Sequence, residues 1–96
     1  MMIIREKEIE QQLVKAAKLH GGVALKLSCP GFDGMPDRLV LLPMGRIGFV
    51  EVKAPGKKMR TLQKVRNEML TSLGFKTYVL DNVKNIGEIL DDIQRP

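Results

Sequence analysis

Two segments, DRLVLL at Asp37–Leu42 and IGFVEVK at Ile47–Lys53, carry apolar side chains on both of their faces. Successive residues of a strand point to opposite sides of the sheet. Leu39 and Leu41 therefore stand on one side with Val40 and Leu42 on the other, and Phe49 and Val50 repeat the split. A sheet that is apolar on both sides has to be covered by helices on both sides. A chain of 96 residues has room for one such layered domain, residues 1–96, which buries only about two thirds of the surface its unfolded form exposes. Against so thin a margin a buried charge is costly unless it is paired or bound to a metal. Yet Glu51 and Lys53 lie at the end of the second strand.

The remaining pattern supplies the helices. From Ile4 to His20 the apolar positions Ile9, Leu13, Ala16 and Ala17 recur at helical spacing, with Gly21 and Gly22 as a stop. VALKLS at Val23–Ser28 alternates as a strand, and CPGFDGMP reads as a loop. The short connection PMGR at Pro43–Arg46 joins the two apolar strands into an antiparallel hairpin. After APGKKMR, Thr61 is placed to cap a helix running to Leu73, with Leu62, Val65, Met69 and Leu73 facing inward. KTYVL at Lys76–Leu80 is a fourth strand, parallel to an earlier one after a helical crossover. Asp81 or Asn82 opens a last helix with an apolar stripe of Ile86, Ile89, Leu90 and Ile93. The expected fold class is α/β, a mixed four-stranded sheet covered by helices in the order αβββαβα.

Composition narrows the function classes. Sixteen Lys and Arg against eleven Asp and Glu leave a net charge of +5, which favours a polyanionic partner or an anionic membrane surface. With aromatics at 4% and no Trp, contact to phosphate is a better expectation than extensive base stacking. The one cysteine, Cys29, cannot form an intrachain disulfide, and with the one histidine, His20, it cannot complete a zinc site of nitrogen and sulfur. Any metal is therefore held mainly by oxygen. His20 reads as a helix C-terminal residue beside the dipole, and Cys29 as a loop residue without a histidine to activate it. No apolar run approaches a membrane span and the N-terminus has no signal-peptide core, so an intracellular, cytoplasmic protein is expected.

Glu51 and Lys53, two apart on a strand, share a face. An internal ion pair, or strand-end charges reaching solvent, is the plainest account. Asp37 opens a second one. At matching ends of adjacent strands, Asp37 and Glu51 have Cβ atoms about 5 Å apart if directly opposed and about 7–8 Å apart if diagonal. Carboxylates that close repel, and one takes up a proton unless a cation lies between them. Register decides the matter. A four-residue turn pairs Leu42 with Ile47 and sends the two acids to opposite faces, whereas a shared cation requires an odd-numbered connection or a bulge near Pro36-Asp37. Two carboxylates with carbonyl and water oxygens suit Mg²⁺ or Mn²⁺. Lys53 beside them is placed to position or deprotonate a water, or to neutralise charge developing on phosphoryl oxygens.

Pro36-Asp37 followed by EVK at Glu51–Lys53 resembles the PD-(D/E)xK nuclease signature, and the αβββαβ order resembles the restriction-endonuclease-like core of that superfamily. Gly34, the run FVEVKAPGKK and Gln63 on the next helix resemble its VRR-NUC branch, including small stand-alone phage members, over most of the chain from Glu6 to Leu80. The resemblance implies a Mg²⁺- or Mn²⁺-dependent endodeoxyribonuclease that acts on structured or branched duplex such as four-way junctions, working as a homodimer in a bacterial or phage-infected cell. It implies Asp37 and Glu51 as metal ligands, the Val52 carbonyl as a third oxygen and Lys53 as the catalytic lysine. Glu10 matches the helix acid that reaches the metal through water, with Glu6 one turn earlier as the alternative, and Gln63 matches the glutamine beside the lysine.

Taken alone, Glu10 and Gln63 are ordinary polar helix positions, and Lys57, Lys58, Arg60, Lys64 and Arg66 are a solvated charge run. Beside a metal centre these basic residues, with Lys26 and Arg38 from the sheet, become phosphate contacts to DNA that orient a duplex without reading its sequence. A non-catalytic basic DNA-binding module, its carboxylates in a structural ion pair, is the rival from another class. A protein that simply exposes basic residues to a partner is a third.

Overall fold

The computed structural model describes residues 5–96. In chain order it has helix α1 (Glu6–Leu19), strands β1 (Val23–Lys26), β2 (Arg38–Leu42) and β3 (Arg46–Val52), helix α2 (Thr61–Ser72), strand β4 (Lys76–Leu80) and helix α3 (Ile86–Gln94). Ile4, the expected start of the first helix, lies outside the described residues. The strands form one sheet in the order β1-β2-β3-β4, antiparallel through β3 and parallel between β3 and β4. A parallel neighbour requires a crossover, and α2 provides it. This is the mixed α/β architecture the sequence predicts.

The hairpin is one residue tighter than expected. Leu42 pairs with Arg46, so Arg46 belongs to β3 and the connection is the three-residue 3₁₀ turn Pro43–Gly45. Met44 and Gly45 turn the chain there with φ of 70° and 73°. An odd connection sets Arg38 against Val50 and Leu39 against Phe49. One step further along the same register, Asp37 stands against Glu51, and no bulge is needed to bring both acids to one face.

Helices α1 and α3 cover one face. Ile9, Leu13 and Ala17 of α1 and Ile86, Ile89, Leu90 and Ile93 of α3 pack with Ala24, Val40, Leu42, Val50, Val52 and Leu80. The α3 stripe is thus core. A short 3₁₀ turn, Val83–Asn85, precedes α3, and Asn82 Oδ1 accepts the Lys84 N–H at 3.0 Å to open it. At the other end Lys76 Nζ donates to the carbonyls of Asp92 at 2.5 Å and Arg95 at 2.8 Å, and the Tyr78 hydroxyl donates to the Asp92 carboxylate. These bonds satisfy C-terminal carbonyls of the helix and tie it to β4.

Cover on the opposite face is partial, where full cover is expected. Helix α2 packs against β4 and buries Gln63 and Leu70. Of the expected inward stripe, Leu62, Val65 and Leu73 are 42%, 47% and 65% exposed. The helix lies over one side of the sheet, so its inward direction points at β4 and Glu51 and not along its most apolar line. Val23, Leu25 and Ile47 on the same side are left exposed. Thr61 is not the cap either: the Arg60 N–H precedes the helix and donates to Gln63 Oε1 at 2.8 Å. Among the described residues no helix is long and apolar enough to cross a membrane.

Gly48 is where α3 rests directly on β3, since a Cβ there would fall 2.5 Å from Cδ1 and 2.6 Å from Cγ1 of Ile93. Gly48→Ala is expected to cost about 1–3 kcal/mol by overpacking. In a domain of this size each kcal/mol lowers the melting temperature by about 4–8 °C, so a thermal melt followed by circular dichroism is the check.

Candidate active site

The Glu51 side chain is 2% exposed at the end of β3. A carboxylate in that position needs partners that reach it through the protein. Two do. Gln63 Nε2, from the first turn of α2, donates to Glu51 Oε2 at 2.5 Å, and Lys53 Nζ lies 3.3 Å from the same oxygen. The Lys53 side chain is itself only 13% exposed, and its backbone N–H extends the ladder to the Leu80 carbonyl at 2.9 Å. Among the described residues Glu51 Oε1 has no hydrogen-bond partner.

Asp37 enters from the neighbouring strand. Its Oδ2 accepts the Val52 N–H at 3.0 Å, a side-chain substitute for a ladder bond, while its own carbonyl accepts the Leu27 N–H at 2.8 Å. The Asp37 carboxyl is close enough to act on Glu51 directly. Burial first, and then the Asp37 charge, push the Glu51 carboxyl above the usual carboxylate range, and Lys53 pulls in the other direction. The structure thus brings together Asp37, Glu51, Lys53 and Gln63, the four residues from β2's entry, β3 and α2.

Glu10 and Arg38 go elsewhere. Arg38 Nε donates to Glu10 Oε2 at 2.8 Å and Arg38 Nη1 to the Ala24 carbonyl at 3.1 Å. In the alternation of β2, Arg38 shares the α1 side with the buried Val40, opposite to Asp37. This pair closes the end of that layer. Glu6 is exposed one turn earlier. Arg66 is engaged as well: its Nε donates to the Asp33 carbonyl at 2.7 Å, and its guanidinium lies 3.8 Å above the Phe32 ring. Lys26, Lys57, Lys58, Arg60 and Lys64 are exposed. A cleft of about 400 Å³ lined by Asp33, Gly34, Met35, Asp37, Arg60, Leu62 and Gln63 opens beside the acids.

No protein-family model matches the sequence. The chain is 48% identical over 82 residues to "Putative nuclease p44" of Acyrthosiphon pisum secondary endosymbiont phage 1, covering 85% of this chain and 88% of that one. A solved structure described as a VRR_NUC domain superposes with a TM-score of 0.84 at 31% identity, over 90% of this chain and 94% of the other. The chain belongs to the VRR-NUC nuclease family.

Nucleases of this kind imply a divalent cation, and the VRR-NUC site here fits one by its own chemistry. The orphaned Oε1 of Glu51 is a buried acceptor, two carboxylates meet, and all the donors are hard oxygens. Among the described residues no group of three or more His, Cys, Asp or Glu side chains converges, so further ligands would be a backbone carbonyl or water. Gln63 does more than its family position implies. With one end it steadies Glu51, and with the other it accepts the Arg60 N–H. Neither role is readable as a capping signal, because the N-cap is Arg60 in place of the Ser or Thr of a capping box.

Because the folded protein holds the Glu51 proton more tightly than the unfolded chain, this group's stabilisation is full below the ordinary carboxylate range and is lost as pH rises through the raised value. Without divalent ions, Glu51→Gln is expected to melt higher than the parent at pH 8, less so at pH 5, and to lose any stabilisation by added Mn²⁺. A simple structural ion pair gives the opposite sign, since deleting one member destabilises. Melting curves at the two pH values decide.

Proposed function

We propose that this VRR-NUC protein is a Mg²⁺- or Mn²⁺-dependent endonuclease that hydrolyses phosphodiester bonds in structured or branched DNA. The observation that carries the reading is two acids and an ammonium group packed into one corner, one acid more than an ion pair uses. Asp37, Glu51 and the Val52 carbonyl would hold the cation. It would supply positive charge for the phosphate oxygens and a bound water of lowered pKa. The other tasks belong to the chain. The Lys53 ammonium orients the attacking water in line with the leaving oxygen and takes up negative charge as it develops. Gln63 fixes the Glu51 rotamer, so the acid is pre-aligned for its place beside the cation. Lys26, Lys57, Lys58, Arg60 and Lys64 bind phosphates without reading bases.

The working form in this reading is a homodimer able to resolve four-way junctions. Its support is the half-open sheet face, where Val23, Leu25 and Ile47 are exposed. On a chain of net charge +5, an uncharged face is where two copies meet without repulsion, and two-fold pairing supplies a site for each of two strands.

Flap and four-way-junction DNA are expected to be cut with Mg²⁺ or Mn²⁺ and spared with EDTA. Asp37→Ala and Lys53→Ala should each lower kcat by at least about 100-fold. Undiminished cleavage in both variants rejects the mechanism, and salt-sensitive binding without cleavage by the parent marks a non-catalytic DNA-binding module. In sedimentation, Ile47→Glu should convert a dimer to a monomer.

A further inference from the structure

The protein has three Phe, one Tyr and no Trp, and three of these four rings are paired with residues of the sheet or α3, Phe75 while itself 41% exposed. Phe49 and Phe75 meet edge to face at 5.6 Å, and Tyr78 is bonded to Asp92. Phe32 differs. It sits on the loop that leads from β1 into Asp37, in a turn closed by its own N–H to the Cys29 carbonyl at 3.0 Å, and it is 40% exposed. A guanidinium lies over the ring at 3.8 Å, and that guanidinium is itself held by the Asp33 carbonyl.

The loop is held firmly. Gly34 has φ of 92°, and a Cβ there would come within 2.8 Å of the Leu62 side chain and 3.0 Å of the Leu62 carbonyl. The loop therefore lies flush on α2, whose Gln63 supports Glu51. Phe32 is thus fixed to the elements that build the cleft, since Asp33, Gly34 and Asp37 line one wall and Leu62 and Gln63 the other. Among the described residues only the Nε of Arg66 is hydrogen-bonded, which leaves its two amino groups for a phosphate.

We propose that the Phe32–Arg66 stack is a platform for one unpaired base flanking the scissile phosphate, and that it gives the site its preference for branched or frayed DNA over continuous duplex. The proposal rests on the nuclease reading and names what that site selects. An aromatic face accepts any base, so a stacking platform is indifferent to sequence. A base inside a continuous duplex must first leave its stack, whereas one at a branch is already free, and selection for structure follows from that difference. One such platform is compatible with a chain poor in aromatics, because phosphate contacts still provide the bulk of the binding.

The test places 2-aminopurine at the unpaired position next to the cut in a flap or splayed-arm DNA, where it is bright when free and quenched when stacked. Binding is read without divalent ions, and cleavage with Mn²⁺. The parent should quench the probe. Phe32→Leu, which keeps apolar bulk but has no ring, should abolish the quench and lower the ratio of branched to duplex cleavage about 10-fold, and Phe32→Trp should restore both. A quench that survives in Phe32→Leu, or an unchanged ratio, overturns the proposal. So does an equal loss on branched and duplex DNA, which would make Phe32 a latch for the Asp37 loop. If the parent cuts no DNA the nuclease reading fails, while the quench still reports on the platform.

Discussion

A carboxylate buried to 2% exposure at the end of a central strand sets the terms for everything around it. Such a group cannot be left to itself in a domain of this size. Gln63 and Lys53 both converge on one of its oxygens, and the other oxygen has no partner among the described residues. The second acid adds to the difficulty, since the Asp37 charge raises the Glu51 carboxyl further. An arrangement that is unfavourable as a resting ion pair becomes favourable when positive charge arrives between the acids. That repulsion is what the proposed divalent cation would relieve.

The geometry of that corner is fixed by a turn at the far end of the hairpin. With three residues between the strands, Leu42 meets Arg46 and the pairing runs in step to Arg38 and Val50. One residue more in the turn would send Asp37 through the sheet to the layer that holds the Arg38–Glu10 pair. The same alternation that collects Val40, Val50 and Val52 on the α1 and α3 side collects Leu39, Phe49 and Glu51 on the α2 side.

Much of this was legible in the residues. Two-sided apolar strands required helices on both sides, the acid pattern at Asp37, Glu51 and Lys53 pointed to one corner, and the parity of the hairpin turn was a stated condition for it. The strand that includes Arg46 was misjudged because turn composition does not reveal where the ladder begins. Helix α2 was misread for a different reason. Its apolar line runs through Leu62, Val65, Met69 and Leu73, but the helix sits off-centre and buries Gln63 and Leu70. Periodicity records what a helix could bury, while the position of the helix on the sheet decides what it does bury. The bonds that Glu10, Arg38 and Arg66 make were not legible for another reason, because they join residues 14 to 33 positions apart in the chain.

Gln63 joins two segments that share nothing locally, closing the first turn of α2 with one end and steadying a strand with the other. A corner assembled from a loop, a sheet terminus and a helix start has no counterpart in any fragment of the polypeptide. A chain that ends before α2 therefore has Asp37, Glu51 and Lys53 without the amide that holds Glu51 in place.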